Sequence, residues 1–295
     1  MEQQKRVIAL GFFDGVHMGH GALLRTVAER ARVLGAAPCA FTFDQSPAAA
    51  VTGRAVPLLT GVADRARLME ELYGIQEVIV APFEVMRQMD WRDFVAQYLQ
   101  KELGVGHVVA GHDFHFGYKG EGDPRRLAEK CRELGMGCDI IPKVEIDGIT
   151  VSSTYIRALL AQGELEQANR FLGHPYCFSG VAAQGRDLGL PAVELPFPAG
   201  VMAPVSGAYA ARACFDGQSV MAVAGVGAPP AVDGSGRADA EVFLPDFHGD
   251  LYGRTVRLEF YKYLRPEWRF PTPEALRGEV MRSAEQTRQF FKEAR

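Results

Sequence analysis

Hydrophobic and polar positions in the first half of the chain follow two alternating periods. Val7 to Leu10 is a short apolar run ending in glycine, as a buried strand does. Leu23, Leu24, Val27, Ala31 and Leu34 then fall on one helix face, and Gly35 follows as a C-cap. Ala37 to Phe43 predicts a second strand, Gly61 to Tyr73 a helix and Glu77 to Val80 a strand. Trp91 to Leu103 predicts a helix, His107 to Ala110 a strand, Pro124 to Leu134 a helix and Cys138 to Pro142 a strand. This alternation predicts an α/β domain with a parallel sheet and helices on both faces. Residues 152–172 are helical in pattern with a break at Gly163, and Gly173 to Pro175 is a turn.

The second half carries short alternating runs rich in glycine, proline and valine: Tyr176–Ala182, Gly207–Phe215, Ser219–Val223, Ala240–Leu244 and Thr255–Leu264. They predict an antiparallel barrel or sandwich closed by one long helix from Pro273 to Lys292. Ala228 to Ala238 reads as a mobile loop. The length, 295 residues, suits two domains at about 150 residues each. The expected division is 1–174 and 175–295.

Composition narrows the class. Apolar residues are 47% and charged residues 23%, so a sizeable core is available. Lysine plus arginine number 32 against 36 acidic residues, a net charge of −4 that gives no basic excess for nucleic acid or an anionic membrane. No apolar run approaches the ~20 residues of a membrane span, and the N-terminal text lacks a signal-peptide pattern. The five scattered cysteines include no C-x-x-C, which argues against a zinc site or a disulfide framework. The expected location is the cytoplasm.

The sharpest chemical text is GFFDGVHMGH, Gly11 to His20, between a strand and a helix. Its glycines let backbone approach a ligand, and a helix starting near Gly19 aims free N–H groups at an anion. His17 and His20 flank Gly19 and suit a polyphosphate. The segment is neither a Walker A loop nor a G-x-G-x-x-G fingerprint. A second candidate anion site is VSSTYIR, where Ser152, Ser153 and Thr154 open a helix and Arg157 stands one turn inside.

These motifs together resemble the bacterial FAD synthetases, the bifunctional riboflavin kinase/FMN adenylyltransferases. FTFDQSP (Phe41–Pro47), VVAGHDFHFGYKGEGD (Val108–Asp123), LGHPY (Leu172–Tyr176), DFHGDLYG (Asp246–Gly253) and YLRPEWRF (Tyr263–Phe270) extend the likeness over nearly the whole chain. The resemblance implies an N-terminal Rossmann-like nucleotidyltransferase domain and a C-terminal riboflavin-kinase-like antiparallel β-barrel. It implies transfer of AMP from ATP to FMN, giving FAD and pyrophosphate, with Mg²⁺ arriving on ATP. His17, His20 and Arg157 are then the catalytic residues. Gly11, Phe13, Asp14, Gly15, Gly19, Ser152, Ser153 and Thr154 shape the ATP site, and Gly111 and Asp113 its rim. Phe43, Asp44, Phe114 and Phe116 are the residues expected around FMN.

The sequence also departs from the family. Gln45 and Ser46 stand where proline and histidine are usual, and His112, His115 and Tyr155 where arginine is usual. The kinase motif G-R-x-x-G-[FY]-P-T-A-N reads GRDLGLPAVEL: Gly185, Arg186, Gly189 and Pro191 remain, while Ala192, Val193 and Glu194 replace its threonine, alanine and asparagine. A later N-I-G reads Gly225-Val226-Gly227, and the expected base toward the riboflavin hydroxyl is Glu241. The resulting expectation is an FMN adenylyltransferase with an impaired kinase module. The alternatives are a fully bifunctional enzyme and a non-catalytic flavin or nucleotide regulator on the same fold. Transferases for pantetheine phosphate or nicotinamide mononucleotide are usually shorter, and no K-M-S-K-S segment of an aminoacyl-tRNA synthetase is present.

Overall fold

β1 (Arg6–Leu10) is covered on both faces, because an apolar run with no polar alternation has no side to give to water. It lies at the centre of a five-stranded parallel sheet in a computed structural model that describes residues 5–185, 191–227, 239–266 and 272–293. The neighbouring strands are β2 (Ala37–Phe43), β3 (Glu77–Ala81), β4 (Val105–Gly111) and β5 (Gly137–Ile141), in the order β3-β2-β1-β4-β5. The order reverses between β1 and β4, where Leu10 pairs with Ala110. Gly11 and Gly111, the next residues along each strand, therefore open the crevice in which such sheets bind ligands.

α1 (Met18–Leu34) packs on this sheet through Leu23, Leu24, Val27 and Ala31, and Gly35 caps it at φ 61° with its N–H on the Ala31 carbonyl. Leu34, expected on the apolar face, is instead 56% exposed, since it lies in the last turn beyond the sheet-facing stripe. Two short helices, α2 (Pro47–Thr52) and α4 (Phe83–Met86), flank α3 (Val62–Tyr73) and are not expected from periodicity. They are shorter than the window over which a 3.6-residue period is legible. The helix expected at Trp91–Leu103 is α-wound only in α5 (Trp91–Asp93) and continues as a π-wound segment, Phe94–Glu102. α6 (Pro124–Glu133) precedes β5, and a small hairpin of β6 (Glu145–Ile146) and β7 (Ile149–Thr150) follows it.

The chain forms two compact units: Met1–Leu58 with Val62–Ser152, and Leu59–Gly61 with Ser153–Arg295. The second begins with α7 (Ser153–Gln162) and α8 (Leu165–Leu172), separated at Gly163 with φ 81°. Its sheet has seven antiparallel strands among the described residues: β8 (Tyr176–Val181), β9 (Ala183–Gln184), β10 (Ala192–Pro196), β11 (Gly207–Phe215), β12 (Gln218–Val226), β13 (Asp239–Phe243) and β14 (Thr255–Arg265). The order β8-β14-β11-β12-β13-β10-β9 curls into a half-barrel. β8 and β10 come so close that a Cβ at Gly180 would stand 3.2 Å from the Pro196 carbonyl. Phe178 stacks on Phe197 at 4.0 Å inside the curl. α9 (Pro273–Glu293) covers it with Leu276, Val280 and Ala284, one residue per turn, against Ala208, Val223 and Phe243. The loop expected at 228–238 lies outside the described residues.

A methyl group added at Gly35 would meet open space, so Gly35→Ala tests backbone strain alone. The left-handed conformation should cost about 1 kcal/mol. Urea denaturation of the full chain should show a lowered midpoint with an unchanged slope. An unshifted midpoint would contradict the strained cap.

Candidate active site

The segment from Gly11 to His20 is bent by three residues with positive φ: Phe13 at 57°, Gly15 at 80° and Val16 at 42°. Phe13 and Val16 are fully buried, and a β-branched residue in this region is costly, about 1–3 kcal/mol. Burial of both side chains is what holds them there. The Phe13 ring lies over Gly11, where a Cβ would stand 3.0 Å from its Cζ. Gly11 N–H donates to the Phe41 carbonyl at 3.2 Å, and Asp14, 4% exposed, sits inside the turn.

The turn delivers His17 as the N-cap of α1, with its Nδ1 accepting from the His20 backbone N–H at 3.3 Å. That bond leaves Nδ1 unprotonated, so neutral His17 carries its proton on Nε2. The two imidazoles stack with centroids 3.6 Å apart and planes at 13°. Gly19 makes the stack possible, because a Cβ there would stand 3.1 Å from His17 Cε1. His17 is buried rather than solvent-lined, and the Phe13 ring meets His20 edge-on at 5.2 Å. His20 Nδ1 is buried without a hydrogen-bond partner among the described residues. Burial first, then the stacked His17, beside which a second positive charge is disfavoured, and the charge of Arg65 hold His20 well below the ordinary histidine range, so it is neutral at pH 7.

Arg65 carries no sequence signal for this site, yet it is 1% exposed and lies beside it. Its Nη1 donates to Thr42 Oγ1 at 2.9 Å and to the Phe43 carbonyl at 3.3 Å. Thr42 Oγ1 in turn donates to the Phe12 carbonyl at 2.8 Å, and the guanidinium packs 4.3 Å from the Phe12 ring centroid. Arg65 Nε and Nη2 have no hydrogen-bond partner among the described residues. Burial lowers its pKa to about 10, opposed by the charge of Asp14, so it remains a cation at neutral pH.

On the β4 side, the Gly111 carbonyl accepts from Phe114 N–H at 3.2 Å in a tight turn, and Asp113 is solvent-facing. Phe43 and Phe116 are buried in the core, with Phe43 edge-on to Phe41 and Phe83, and Phe116 5.3 Å from Phe94. Phe114 is half-buried and stacks on Phe116 at 5.6 Å. Asp44 accepts from Phe83 N–H at 3.0 Å, holding the start of α4, and Ser46 caps α2.

Val151 lies near the same loop, its carbonyl 3.7 Å from where a Cβ on Gly19 would stand. Ser152 follows it, ending the first unit. Ser153 and Thr154 open α7 in the second unit. Arg157 turns back over that first turn, with Nη2 donating to Thr154 Oγ1 at 3.2 Å. In the half-barrel, Glu194 on β10 pairs directly with Glu241 on β13, and Glu241 pairs on its other side with Gly225. Two carboxylates thus stand opposite each other on one face of the sheet. Ala192 packs against the apolar cluster under α9. Arg186 and Gly189 lie outside the described residues, as do 267–270 of the YLRPEWRF segment.

A Rossmann-like sheet with a strained loop and a helix start at its reversal point, in a chain that also carries an antiparallel half-barrel, is the architecture of a two-unit nucleotide-binding class. The FAD synthetase family model matches residues 1–155, and the riboflavin kinase model matches residues 172–291. A bifunctional riboflavin kinase/FMN adenylyltransferase of Pseudomonas fluorescens is 36% identical over 95% of this chain and 91% of its own length. Another, from Listeria monocytogenes, is 33% identical over 97% and 92%. A solved structure described as a macrolide-efflux protein from Streptococcus pneumoniae superposes with a TM-score of 0.82 at 26% identity, covering 98% of this chain and 95% of that one. The chain belongs to the bifunctional riboflavin kinase/FMN adenylyltransferase family.

The state of His20 has a consequence for pH. Below about 6.5 the unfolded chain takes up a proton at this residue while the folded protein resists it. Its contribution to stability is therefore complete above pH 6.5 and lost as pH falls through the lowered folded value. His20→Gln should lose less stability than wild type between pH 6.5 and 5 in denaturant titrations. The wild-type His20 ring resonance should stay unshifted until well below pH 6.5, and an ordinary titration near 6.5 would contradict the burial argument.

Proposed function

We propose that the first unit transfers AMP from ATP to FMN, and that the second is a kinase-like half-barrel impaired in riboflavin phosphorylation. The observation that carries the first part is the stacked His17–His20 pair at the start of α1, with the His17 tautomer fixed by its cap. An oxygen of the FMN phosphate attacks the α-phosphorus of ATP. One P–O bond forms, the α–β bridge breaks, and pyrophosphate leaves with the bond's electron pair. The nucleophile is already an anion, so no strong base is required; positioning and charge stabilisation dominate. His17 Nε2–H is a neutral donor for the charge developing on the phosphates, and His20 is assigned to the same role. The α1 N-terminus adds its backbone N–H groups, with Gly11, Asp14, Gly15 and Gly19 shaping the bed.

Ser153, Thr154 and Arg157 are assigned to the triphosphate and the leaving pyrophosphate. Gly111 and Asp113 belong to the nucleotide rim. On the flavin side, Phe114 is the better candidate for ring contact, since Phe43 and Phe116 are committed to the core. Asp44 acts there by holding α4. Among the described residues, no group of three histidine, cysteine or acidic side chains gathers as a metal cage. The loop's imidazoles are poor ligands for Mg²⁺, which fits an ion carried by ATP rather than a dedicated protein site. When bound, that ion neutralises phosphate charge.

For the second unit, the supporting observation is the Glu194–Glu241 pairing together with an apolar-packed Ala192. Neither alanine's methyl nor an extra carboxylate replaces a hydroxyl and an amide at a Mg²⁺–triphosphate site. The fully bifunctional reading is favoured by the riboflavin kinase family match, and Glu194 supplies an oxygen donor through which a metal site could be rebuilt. The efflux description of the Streptococcus structure is not carried over. No helix among the described residues is long and apolar enough to cross a membrane.

His17→Asn keeps a capping acceptor but loses the imidazole, and His20→Ala removes the second ring. Each should lower the rate of FAD formation about 10²–10³-fold, or 3–4 kcal/mol. Normal rates in both variants would remove the histidines from the mechanism. Arg157→Lys should raise KM for ATP about tenfold by losing the planar fork, with less effect on FMN. Purified protein given ATP, Mg²⁺ and either FMN or riboflavin should yield FAD only from FMN. Steady turnover of riboflavin would establish the bifunctional reading instead.

A further inference from the structure

A buried arginine with two unsatisfied N–H groups is expensive, because desolvation is not offset by a full set of bonds. Arg65 is such a residue. It is 1% exposed, and Nε and Nη2 have no partner among the described residues, while Nη1 is anchored. An apolar side chain of similar length would fill the space at lower cost if packing were the only requirement. The charge therefore calls for another explanation, and three observations place it under the phosphate loop. The first is the relay from Nη1 through the Thr42 hydroxyl to the Phe12 carbonyl. The second is the guanidinium packed on the Phe12 ring, which grips the same residue from its side-chain end. Phe12 precedes the strained Phe13, whose ring packs against His20. The third is the field of the cation, which acts on both Asp14 and His20.

We propose that Arg65 is a positioning residue of the adenylyl-transfer site. It is a buried, fixed cation that holds the Phe12–Phe13 turn and lends the loop the positive potential that attracts a polyphosphate. It acts through the turn and through space, without touching the reacting atoms. Its two functions separate by residue: the grip runs through Thr42, while the potential needs only the charge. Asp14, His17 and His20 are the titratable groups on the loop beneath which it sits. The Arg65 cation offsets the Asp14 carboxylate of the same turn, which would otherwise repel a polyphosphate, while neither histidine is charged. The kinetic part of the proposal rests on the adenylyl-transfer reading. The binding and spectroscopic parts do not.

Three variants of the full chain separate charge from grip. Arg65→Met removes the charge and keeps bulk. Arg65→Lys keeps a charge but loses the planar anchor. Thr42→Val breaks the relay and leaves the arginine. Calorimetry with magnesium tripolyphosphate should show affinity falling about 10- to 100-fold in Arg65→Met, the scale expected of a partly buried charge a few ångströms from an anion. Affinity should stay within about threefold of wild type in the other two variants, which retain that charge. The midpoint of the His20 ring resonance should move upward in Arg65→Met, because one cause of its suppression is gone. Thr42→Val and Arg65→Lys should lose kcat for FAD formation by about tenfold, as expected for a misplaced loop, with KM for ATP nearly unchanged.

Wild-type tripolyphosphate affinity in Arg65→Met with an unmoved His20 midpoint would overturn the electrostatic role. Unchanged kcat in both Thr42→Val and Arg65→Lys would overturn the grip. If Arg65→Met fails to fold, the proposal is decided by whether Arg65→Lys retains tripolyphosphate affinity while losing kcat. A lysine variant weakened in binding as much as in rate counts against it. Absence of FAD formation by the wild type would instead defeat the adenylyl-transfer reading, leaving the calorimetric and resonance results to judge Arg65 by themselves.

Discussion

The geometry of the first unit depends on a turn whose backbone is unfavourable on its own. Phe13 and Val16 occupy left-handed conformations, held by the burial of their side chains and by the Val16 N–H donating to the Phe13 carbonyl at 3.0 Å. Once the turn is fixed, the remaining features follow in order. The chain enters α1 with His17 at the cap, the cap sets the tautomer, and the spacing to His20 sets the stack. A relaxed turn would still permit the sheet and α1, but it would not deliver two imidazoles to the same place.

The distribution of charge suits this chemistry. In the proposed transfer the histidines are uncharged donors, the Arg65 cation is packed on Phe12 of the same loop, and the helix start supplies oriented backbone N–H groups. Reactants that are all anions need no proton acceptor but do need a region where negative charge is tolerated. Neutral donors serve that purpose without the desolvation cost of several adjacent cations. The second unit differs, with Glu194 on β10 and Glu241 on β13 directly opposite one another in the sheet.

Much of the fold is legible in the sequence because its signals are local. The all-apolar β1, the α1 stripe with its glycine cap, and the alternating strands of the half-barrel each declare themselves within a few residues. The local geometry of the candidate site is legible where spacing sets it: H-x-G-H stacks its imidazoles at the start of α1, and S-S-T-x-I-R opens α7. Arg65 is not, because its meaning comes from Thr42 and Phe43, 23 and 22 positions away in sequence. The core commitments of Phe43 and Phe116 and the work of Asp44 at α4 are hidden for the same reason. Periodicity also cannot distinguish α-winding from the π-winding after Asp93, since both expose one apolar face. β10 is obscured by the motif that it carries, whose polar and small residues point to ligand binding more strongly than to strand alternation.

Gly19 contributes no donor, acceptor or charge, yet its missing side chain is the space into which the His17 ring fits. The histidine pair is thus protected by exclusion as well as by bonding. The consequence concerns how the protein can vary. The three positions His17, Gly19 and His20 are sterically linked, since a methyl group at the middle position would press on the His17 ring at 3.1 Å. On the outer face of α1, by contrast, side chains make separate contacts, such as the Arg30–Asp139 ion pair at 2.7 Å. Tolerance to substitution along α1 is therefore set by contact rather than by position: the stacked rings at its start, the Tyr73 hydroxyl against Gly21, and the sheet-facing stripe from Leu23 to Ala31.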